Sequence, residues 1–535
     1  MFRSCAGLAL VTIAAAACGG HRPAAVPQPA PGSVATDAEI RAAGALITPE
    51  KALQRISVIA DDSMEGRNTP SRGLELTARY LADNYRRWGF TPLGDSATFL
   101  QRYTLGRVRP EPTTSTLIVS GGGNTQRFPL TTWATVSGPM TATPITGPAK
   151  LISGAVTAVD IAPLNLAGTL VAFIQNPARA ADNQQVTRAI IQKGPAALVI
   201  FQSTDPAAFR ATVAAVMRDG NPRPVVEGVP TTGVLTVVAH DSLIAELQNL
   251  PDFAAMRASP TPVIMDVPPQ EEITIIAKDE TVSRNSAPNV VAVFPGTDSV
   301  LKHEYVVFSG HMDHVGRAGD GVGGCSAKGA DSICNGADDD GSGTTGVLSI
   351  AEAVASLKGH TRRSIIILNV SGEEKGLLGS AYFVAHPPVP LGNIVADINM
   401  DMIGRNSPDS IVVIGKEHSD MGQTLARVDA AHPELHLIAS DDIWPEESFY
   451  TRSDHFNFAR NGVPVLFFFN GTHPQYHRPD DEVKLIDTSK LSRVAQLAFY
   501  LGIEIANSPT KPEWNPQSYQ TVVIEHRAPP VSRRP

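Results

Sequence analysis

The chain has 535 residues, of which 42% are hydrophobic and 18% are charged. This composition excludes an intrinsically disordered chain and supplies enough apolar side chains for a sizeable core. The 44 Lys and Arg against 53 Asp and Glu give a net charge of −9. The charges are scattered, which argues against nucleic acid as the main partner, because neutralising phosphates needs a basic surface. The length predicts about three to four domains, or one large domain with an insertion.

The first 18 residues have the pattern of a signal peptide. Arg3 precedes an apolar run, 7–17, that is too short to span a bilayer. The run ends in Ala15-Ala16-Ala17-Cys18, which resembles the bacterial lipobox, in which the cysteine is lipidated, although that pattern prefers Leu where Ala15 stands. The alternative is cleavage after an Ala-x-Ala-type site, with Cys18 incidental.

A flexible tether is predicted over residues 19–40, because 19–31 is rich in Pro, Ala and Gly. No later stretch has about 18 uninterrupted apolar residues, so no other membrane contact is expected. We therefore expect an exported protein of the bacterial cell envelope. We expect it to be anchored through a lipid on Cys18 in the periplasm or at the outer membrane, or else to be secreted.

Two cysteines remain after the signal region, Cys325 and Cys334, nine positions apart in a Gly-rich segment. In an oxidising compartment this pair predicts one disulfide. The alternative, a zinc site built on cysteines, would need more thiols or a nearby Cys-x-x-Cys.

Two amphipathic helices are predicted after the tether. Thr48-Pro49 is typical of an N-cap followed by Pro in the first helical position, and Gly89 is expected to end the second helix. The second helix has an apolar face formed by Leu74, Ala78, Leu81, Tyr85 and Trp88.

The pattern then changes to short β-rich runs separated by Pro and Gly turns, which we assign to an inserted domain over 113–279. The two parts 41–112 and 280–510 form the flanking domain, and 511–535 forms a C-terminal tail. The inserted domain has predicted strands at 115–119, 169–174, 197–201 and 234–238 and helical pieces near 183–192 and 241–247.

From 289 to 504 the predicted strands alternate with helices, which indicates an α/β fold with a mostly parallel mixed sheet flanked by helices. The run Ile365-Ile366-Ile367-Leu368 is typical of a strand covered on both faces. A helix carries Val347 and Val354 inward, and a closing helix begins at Asp487 or Thr488. The strands are predicted at 304–308, 364–370, 394–399, 411–414 and 465–469.

Histidines and carboxylates follow the ends of four of these strands, and ligands of open α/β sheets collect at the carboxyl ends of strands. Histidine and carboxylate without thiols are the ligands of zinc-type hydrolytic metals, and more than three of them favour a metal pair. Each segment alone is weak evidence, since His-x-Asp is often a structural pair and Asp-Asp-Asp-Gly a turn. The segments are 309–314, 371–374, 399–401 and 470–477, together with the loop 336–343.

A two-metal site needs a carboxylate that bridges the ions and another that stays unligated as the base. The adjacent Glu373 and Glu374 can divide the roles of base and ligand, because successive loop side chains point in different directions.

These motifs resemble the M28 family of zinc metallopeptidases, which are aminopeptidases with a phosphorylase/hydrolase-like α/β core. The resemblance covers about residues 49–506, and the β-rich region is similar to the protease-associated (PA) domain that many members carry as an insertion. The PA likeness is best at 166–173 and 189–201. The motifs that carry the M28 resemblance are Gly310-His311-Met312-Asp313-His314, Asn335-Gly336-Ala337-Asp338-Asp339-Asp340-Gly341-Ser342-Gly343, Glu373-Glu374, Asn399-Met400-Asp401-Met402-Ile403-Gly404 and Tyr476-His477-Arg478-Pro479.

The resemblance implies two zinc ions bridged by Asp339. His311 and Asp401 complete one zinc site, and Glu374 and His477 complete the other. Glu373 is implied as the general base.

Two further roles are expected beside the ligands. Asp313 is expected to orient His311, and Tyr476 is implied as a phenol that holds the oxyanion.

Other residues near these motifs are expected to have supporting roles. His314 and His473 are expected at the rim or behind the ligands, and Asp338 and Asp340 are expected to shape their loop. The segment Ser453-Asp454-His455 is expected at the rim of the cleft, because no Gly-x-Ser-x-Gly elbow accompanies it.

The resemblance therefore implies an exported aminopeptidase that acts on the N-termini of peptides or proteins. The alternatives are a related carboxypeptidase, a dipeptidase or a glutaminyl cyclase. Cyclases on this fold use one zinc, which disagrees with the full set of five ligands. A non-catalytic envelope peptide-binding protein is a further alternative, although no ligand has been lost.

Overall fold

The structure is a computed structural model that describes residues 33–121, 123–216, 222–231, 233–243, 252–320 and 324–525. The predicted signal peptide with Cys18, the tether up to residue 32 and the tail beyond residue 525 lie outside the described residues. Among the described residues, no helix is both long and apolar enough to cross a membrane.

The strands of the protein are, in chain order, β1 Thr91–Pro92, β2 Leu100–Pro110, β3 Thr116–Gly121, β4 Asn124–Pro129, β5 Ala134–Ser137, β6 Thr141–Thr146, β7 Ala149–Gly154, β8 Leu170–Ile174, β9 Ala197–Gln202, β10 Arg223–Val226, β11 Leu235–His240, β12 Pro262–Asp266, β13 Glu272–Ala277, β14 Asp279–Phe294, β15 Tyr305–His311, β16 Ser364–Val370, β17 Ile394–Met400, β18 Ser410–Ile414, β19 Ile438–Ser440 and β20 Val465–Phe469.

The α-helices are α1 Asp37–Gly44, α2 Pro49–Ile59, α3 Arg72–Arg87, α4 Leu130–Trp133, α5 Ala158–Ile161, α6 Ala180–Gln192, α7 Pro206–Val216, α8 Phe253–Ala258, α9 Gly341–Ser356, α10 Leu378–Ala385, α11 Met421–Ala431, α12 His455–Ala459, α13 Thr488–Asn507 and α14 Pro516–Ser518. A π-helix, Tyr519–Ile524, follows α14.

The flanking domain is built on a ten-stranded mixed sheet with the order β10-β2-β14-β16-β15-β17-β20-β18-β19, and β1 pairs with β14. The prediction of an α/β fold with a mixed sheet is confirmed, but the sheet is not mostly parallel, because five of its pairings among the described residues are antiparallel and four are parallel. Parallel pairing joins β16, β15, β17 and β20 at the centre and β18 with β19 at one edge. The other pairs are antiparallel. The four central parallel strands direct their carboxyl ends to a single edge of the sheet.

Strand β16 shows why the centre of the sheet is nearly all apolar. Ile365 and Ile367 belong to one buried cluster, whereas Ile366 and Leu368 belong to another. Because successive side chains of a strand point to opposite faces, an apolar residue is needed at every position of a strand covered on both sides.

The inserted domain lies between β2 and β14, which pair along most of their length as a long antiparallel ribbon. It contains a six-stranded sheet, β12-β7-β8-β9-β11-β5, whose four central strands are parallel, and a four-stranded antiparallel sheet, β4-β3-β13-β6. Each face of the six-stranded sheet packs against its own apolar core. Assignment of this domain to the PA family stays a prediction.

Strand β10 was not predicted, although it lies inside the predicted insertion. It pairs with β2 and so extends the sheet of the flanking domain. Of the predicted helical piece at 241–247, the structure has a 3₁₀ turn at Asp241–Leu243, and the rest lies outside the described residues.

Parts of the predicted tether (19–40) and of the predicted tail (511–535) are folded in the structure. Helix α1 begins at Asp37, within the predicted tether, because Thr36 and Glu39 form a capping box. Near the other end, the Trp514 indole donates a hydrogen bond to the carbonyl of Gly462, and Val523 is buried. The predicted tail therefore packs on the domain as far as residue 525.

The close contact between helix α13 and strand β15 gives a test of the fold. A Cβ atom at Gly502 would lie 2.1 Å from the Cζ atom of Phe308. We expect Gly502→Ala to lower the free energy of unfolding by about 1–3 kcal/mol, because the buried ring has to move. Urea unfolding midpoints measure the effect. Gly392→Ala is the control, since no atom lies within 4 Å of its Cβ position. Equal midpoints for the two variants would contradict this packing.

Candidate metal centre

The predicted site residues converge at the carboxyl edge of the central sheet. His311 ends β15, Asp401 follows β17, and Glu373 and Glu374 lie in the turn after β16. His477 comes from the loop after β20, and Asp339 comes from the loop before α9. Strands that are distant in sequence thus bring their polar ends into one buried cluster.

One group of ligand atoms comes from His314, Asp339, Glu374 and His477, which could together hold a metal ion because these atoms lie within 4.8 Å of one another. The Nε2 atom of His477 is 3.1 Å from Asp339 Oδ2 and 3.0 Å from Glu374 Oε2. The Nδ1 atom of His314 is 2.8 Å from Glu374 Oε1.

A second group comes from His311, Asp340 and Asp401. The Nε2 atom of His311 is 3.6 Å from Asp401 Oδ1 and 3.4 Å from Asp339 Oδ1. Asp339 therefore presents one oxygen to each group, which is the arrangement a bridging carboxylate requires.

Asp340 is close to the second group, but its carboxylate is already engaged. Its oxygens accept hydrogen bonds from the main-chain N–H groups of His311, Gly343 and Met402 at 3.1, 2.8 and 3.2 Å. These bonds tie the loop before α9 to the ends of β15 and β17, so Asp339 is the better candidate for a shared ligand.

The donor set fits a metal ion. Within the described part of the chain, Asp339 Oδ2, Asp401 Oδ1 and His477 Nε2 are buried polar atoms that make no hydrogen bond. Such atoms are normally paired in folded proteins, and a set of imidazoles and carboxylates matches the ligands of zinc.

The charges of the cluster also favour a cation. Burial lowers the pKa of His311, but the carboxylates of Asp401 and Glu373 outweigh burial and raise that pKa well above its usual range. Burial likewise opposes charge on His477, yet the adjacent carboxylates of Asp339 and Glu374 raise its pKa to about 10. Without a metal ion, the imidazoles of His311 and His477 are therefore in the protonated, positively charged form, in which no ring nitrogen is free to bind a metal.

The buried guanidinium of Arg67 fixes the loops that carry these ligands. It donates hydrogen bonds to the carbonyl oxygens of Met312 at 2.9 Å, Ile59 at 3.0 Å, Asn335 at 2.6 Å and Gly336 at 2.9 Å. Arg67 was not predicted from the sequence, because one arginine after a helix has no motif that marks it as buried.

Asp481 supports the same loop from the other side. Its Oδ2 atom accepts hydrogen bonds from the main-chain N–H groups of Asp338 and Asp339, at 3.0 and 3.2 Å. His473 lies behind this loop, with Nε2 3.4 Å from Asp338 Oδ2, and belongs to neither ligand group.

Asp313 contacts His311 differently from what the sequence predicts. The Nδ1 atom of His311 is 3.2 Å from the main-chain carbonyl oxygen of Asp313 and 3.7 Å from its carboxylate. The carboxylate instead accepts hydrogen bonds from the Thr69 hydroxyl at 2.8 Å, Gly372 N at 2.7 Å and Glu373 N at 3.3 Å. Because these donors occupy the carboxylate, its main contact is with the turn that carries Glu373.

Glu373 lies beside both groups and belongs to neither, and it lines a cavity together with His311, Asp339 and Asp401. Burial raises the pKa of Glu373 well above its usual range. His311 opposes this shift, and the negative charge of Glu374 adds to it.

Tyr476 lines the same cavity, and its ring stacks on His477 with the centroids 3.9 Å apart. Burial raises the pKa of the Tyr476 phenol, so the hydroxyl remains protonated and able to donate a hydrogen bond. The rest of the lining combines the apolar side chains of Met402, Phe449, Phe467 and Phe469 with the polar side chains of Arg452, Ser453 and Thr472.

The segment Ser453-Asp454-His455 does not form a nucleophile with its base. The Ser453 hydroxyl donates to Asp401 Oδ2 at 3.0 Å. The His455 ring stacks on Phe467, with centroids 4.3 Å apart. Ser453 therefore supports a candidate ligand and lines the cavity. Asp454 and His455 are fully buried, so the expectation that the whole segment lies at the rim was wrong.

His314 does not lie at the rim of the cleft, which was one of the two positions expected for it. This residue is fully buried and belongs to one of the two ligand groups, because the turn after β15 folds it inward. The structure also joins Cys325 and Cys334 in a disulfide, directly before the loop that carries Asp339.

A mixed α/β sheet whose central strands end in two histidine–carboxylate groups defines a metal-binding α/β domain. Residues 289–502 match the profile of Peptidase family M28. This part of the chain is an M28 family domain, which confirms the family predicted from the motifs.

The chain also resembles individual proteins. It is 27% identical over 228 residues to a probable leucine aminopeptidase of Trichophyton verrucosum, covering 41% of this chain and 58% of that protein. It is 26% identical over 185 residues to the aminopeptidase YwaD of Bacillus subtilis, covering 33% and 39%. The chain thus spans less than two thirds of the curated relatives it matches. The solved aminopeptidase of Aneurinibacillus sp. strain AM-1 superposes with a TM-score of 0.46 at 18% identity, covering 90% of this chain and 98% of that one.

The raised pKa values of His311 and His477 predict that metal binding releases protons. A histidine binds a metal in its neutral form, so at pH 7 Zn²⁺ has to displace the protons that these imidazoles hold. We expect release of at least one proton per protein, and an affinity for Zn²⁺ that increases as the pH rises. Calorimetric titration of the chelator-stripped protein in buffers of different ionisation enthalpy measures the release. A binding heat that is the same in every buffer would contradict it.

Proposed function

We propose that the protein is a peptidase that uses two zinc ions and removes residues from the N-termini of peptides. The observation that carries the proposal is the position of Asp339, whose two oxygens face two histidine–carboxylate groups, with Glu373 beside both groups and part of neither. This is the division between bridging ligand and free base that peptide hydrolysis by a metal pair requires.

The proposal assigns His311 and Asp401 to one zinc ion and Glu374 and His477 to the other, with Asp339 between them. Zinc ions held by these residues would supply Lewis-acid chemistry: they would lower the pKa of a water molecule and polarise the substrate carbonyl. Support comes from the donor set and from the buried atoms that make no hydrogen bond among the described residues.

The chain's own residues move the protons. The Glu373 carboxylate accepts a proton from the attacking water and delivers it to the nitrogen of the leaving amine. Its buried position raises its pKa, which suits a group that holds a proton between the two transfers. The Tyr476 hydroxyl donates a hydrogen bond to the carbonyl oxygen as that oxygen gains negative charge.

The lining of the cavity supports an aminopeptidase. The apolar wall formed by Phe449, Phe467 and Phe469 suits an aliphatic or aromatic first side chain. The names of the curated relatives, leucine aminopeptidase and aminopeptidase, agree with this proposal.

We also propose that the enzyme works outside the cytoplasm, anchored to the cell envelope by a lipid on Cys18. The signal-like segment before Cys18 and the disulfide between Cys325 and Cys334 support export, since disulfides persist in oxidising compartments.

The proposed activity predicts a clear substrate rule. We expect cleavage of Leu- and Phe-p-nitroanilide at least about tenfold faster than Gly-p-nitroanilide, because only the larger side chains fill the apolar cavity. The N-acetylated versions should not be cleaved. A chelator should abolish activity and zinc should restore it. Cleavage of neither set by protein that holds its metal would contradict an aminopeptidase and favour a carboxypeptidase, a dipeptidase or a binding protein.

In the same assay, we expect Glu373→Gln to lower kcat by about 10²–10⁴-fold, because the amide cannot accept the proton. Its zinc content, measured by metal analysis, should stay at the wild-type value. Glu374→Gln is the matched control, with the same chemical change one position along, and should lose zinc. Full turnover of the Glu373 variant with its zinc bound would show that another group is the base.

The envelope location has a separate test with the full chain expressed in a bacterium. We expect the wild type to partition into the detergent phase of a Triton X-114 extraction, and Cys18→Ala to move to the aqueous phase. Mass spectrometry of the mature N-terminus identifies the lipid. An unmodified wild-type N-terminus after the signal segment would show secretion without an anchor.

A further inference from the structure

The proposed function assigns no role to His314, although this residue lies inside the candidate metal centre. It is fully buried, and its Nδ1 atom lies 2.8 Å from Glu374 Oε1 and 3.7 Å from Asp339 Oδ2. The nitrogen therefore points between two carboxylates that already belong to a ligand group, and both of these side chains also face His477.

The spacing of the four side chains matches one tetrahedral ion. With zinc bonds of about 2.0–2.1 Å, neighbouring ligand atoms of a tetrahedral site lie about 3.3 Å apart. The nitrogens of His314 and His477 lie 2.8–3.7 Å from the nearest oxygens of Asp339 and Glu374. Asp339 Oδ2 faces both imidazoles, and Glu374 presents one oxygen to each of them. One atom from each of the four side chains lies within 4.8 Å of the others, so all four can reach a single ion.

The surrounding chain holds the His314 ring in this place. Gly336 packs against it, since a Cβ atom there would lie 2.5 Å from the ring atoms Cγ and Cδ2. The main-chain N–H of His314 donates to the carbonyl of Arg67 at 3.2 Å. The ring is therefore fixed on both sides, by the ligand loop before α9 and by the chain before α3.

We propose that His314 is a fourth protein ligand, through Nδ1, of the metal ion held by Asp339, Glu374 and His477. This inference rests on the proposed two-zinc function. It makes the two metal positions unequal. The position at His314 is closed by four protein side chains, whereas the position at His311, Asp339 and Asp401 has three and keeps a place open. Closed sites are typical of structural zinc and open ones of catalytic zinc.

The main competing role for His314 is that of a hydrogen-bond donor to Glu374. The two roles require opposite tautomers, because a ligand Nδ1 leaves the proton on Nε2, whereas a donor carries the proton on Nδ1. The tautomer of His314 in the zinc-loaded protein therefore decides between them without any measurement of activity.

The experiment uses the full mature protein labelled with ¹⁵N-histidine, stripped by chelator and reloaded with zinc. Long-range ¹H–¹⁵N correlation spectra report which ring nitrogen is protonated, and the spectrum of His314→Asn identifies the His314 signal. We expect the proton on Nε2 once zinc is bound. A proton on Nδ1 in the zinc-loaded protein would overturn the proposal.

Competition titrations with a chromophoric zinc chelator provide the second measurement. We expect His314→Asn to weaken one of the two zinc sites by more than the 10–100-fold typical of a residue that only supports a ligand, and to leave the other site unchanged. Equal affinities for wild type and His314→Asn would overturn the proposal. The matched control is His455→Asn, which removes a buried histidine that belongs to neither ligand group. Failure of the wild type to bind two zinc ions would instead contradict the proposed function.

Discussion

The buried guanidinium of Arg67 holds the candidate site together. Burying a positive charge is unfavourable unless all its hydrogen bonds are made, and this one is bonded to main-chain carbonyls on both sides of the site. Burial lowers the pKa of Arg67, while the carboxylates of Asp340, Asp339, Asp313 and Asp481 oppose that shift. The same side chain thus joins the helix before the site, the end of β15 and the ligand loop, and it balances part of the acidic charge that they concentrate.

The site is an assembly of buried charges that depend on one another. Both carboxylate oxygens of Asp340, and Oδ2 of Asp481, accept hydrogen bonds from main-chain N–H groups, so the ligand loop is fixed before any metal binds. Asp339, Asp401 and His477 retain atoms that make no hydrogen bond among the described residues. The first set provides rigidity and the second provides binding capacity. Ligands that are held in place before binding lose little conformational freedom when the ion arrives, which strengthens binding.

The inserted domain is joined to the ten-stranded sheet by strand pairing and not only by two linkers. The ribbon of β2 and β14 carries the chain out of the sheet and back, and β10 returns from within the insertion to pair with β2. Main-chain hydrogen bonds at three strands therefore join the two parts. The insertion also has two apolar cores of its own.

Much of this protein was evident in the sequence. The apolar run of β16, the Thr48-Pro49 helix start and the histidines and carboxylates after the strands depend on local periodicity and spacing, and the structure has them at the predicted places. Helix α1 could also have been found from its capping box. The inward position of His314, the contacts of Asp313, the clamp by Arg67 and the return of β10 depend on which distant segments meet. Periodicity within a segment shows which face is buried, but it does not show what lies against that face. The identity of these contacts was decided only by the tertiary structure, because it brings side chains of distant segments within hydrogen-bonding distance of the same few donors and acceptors.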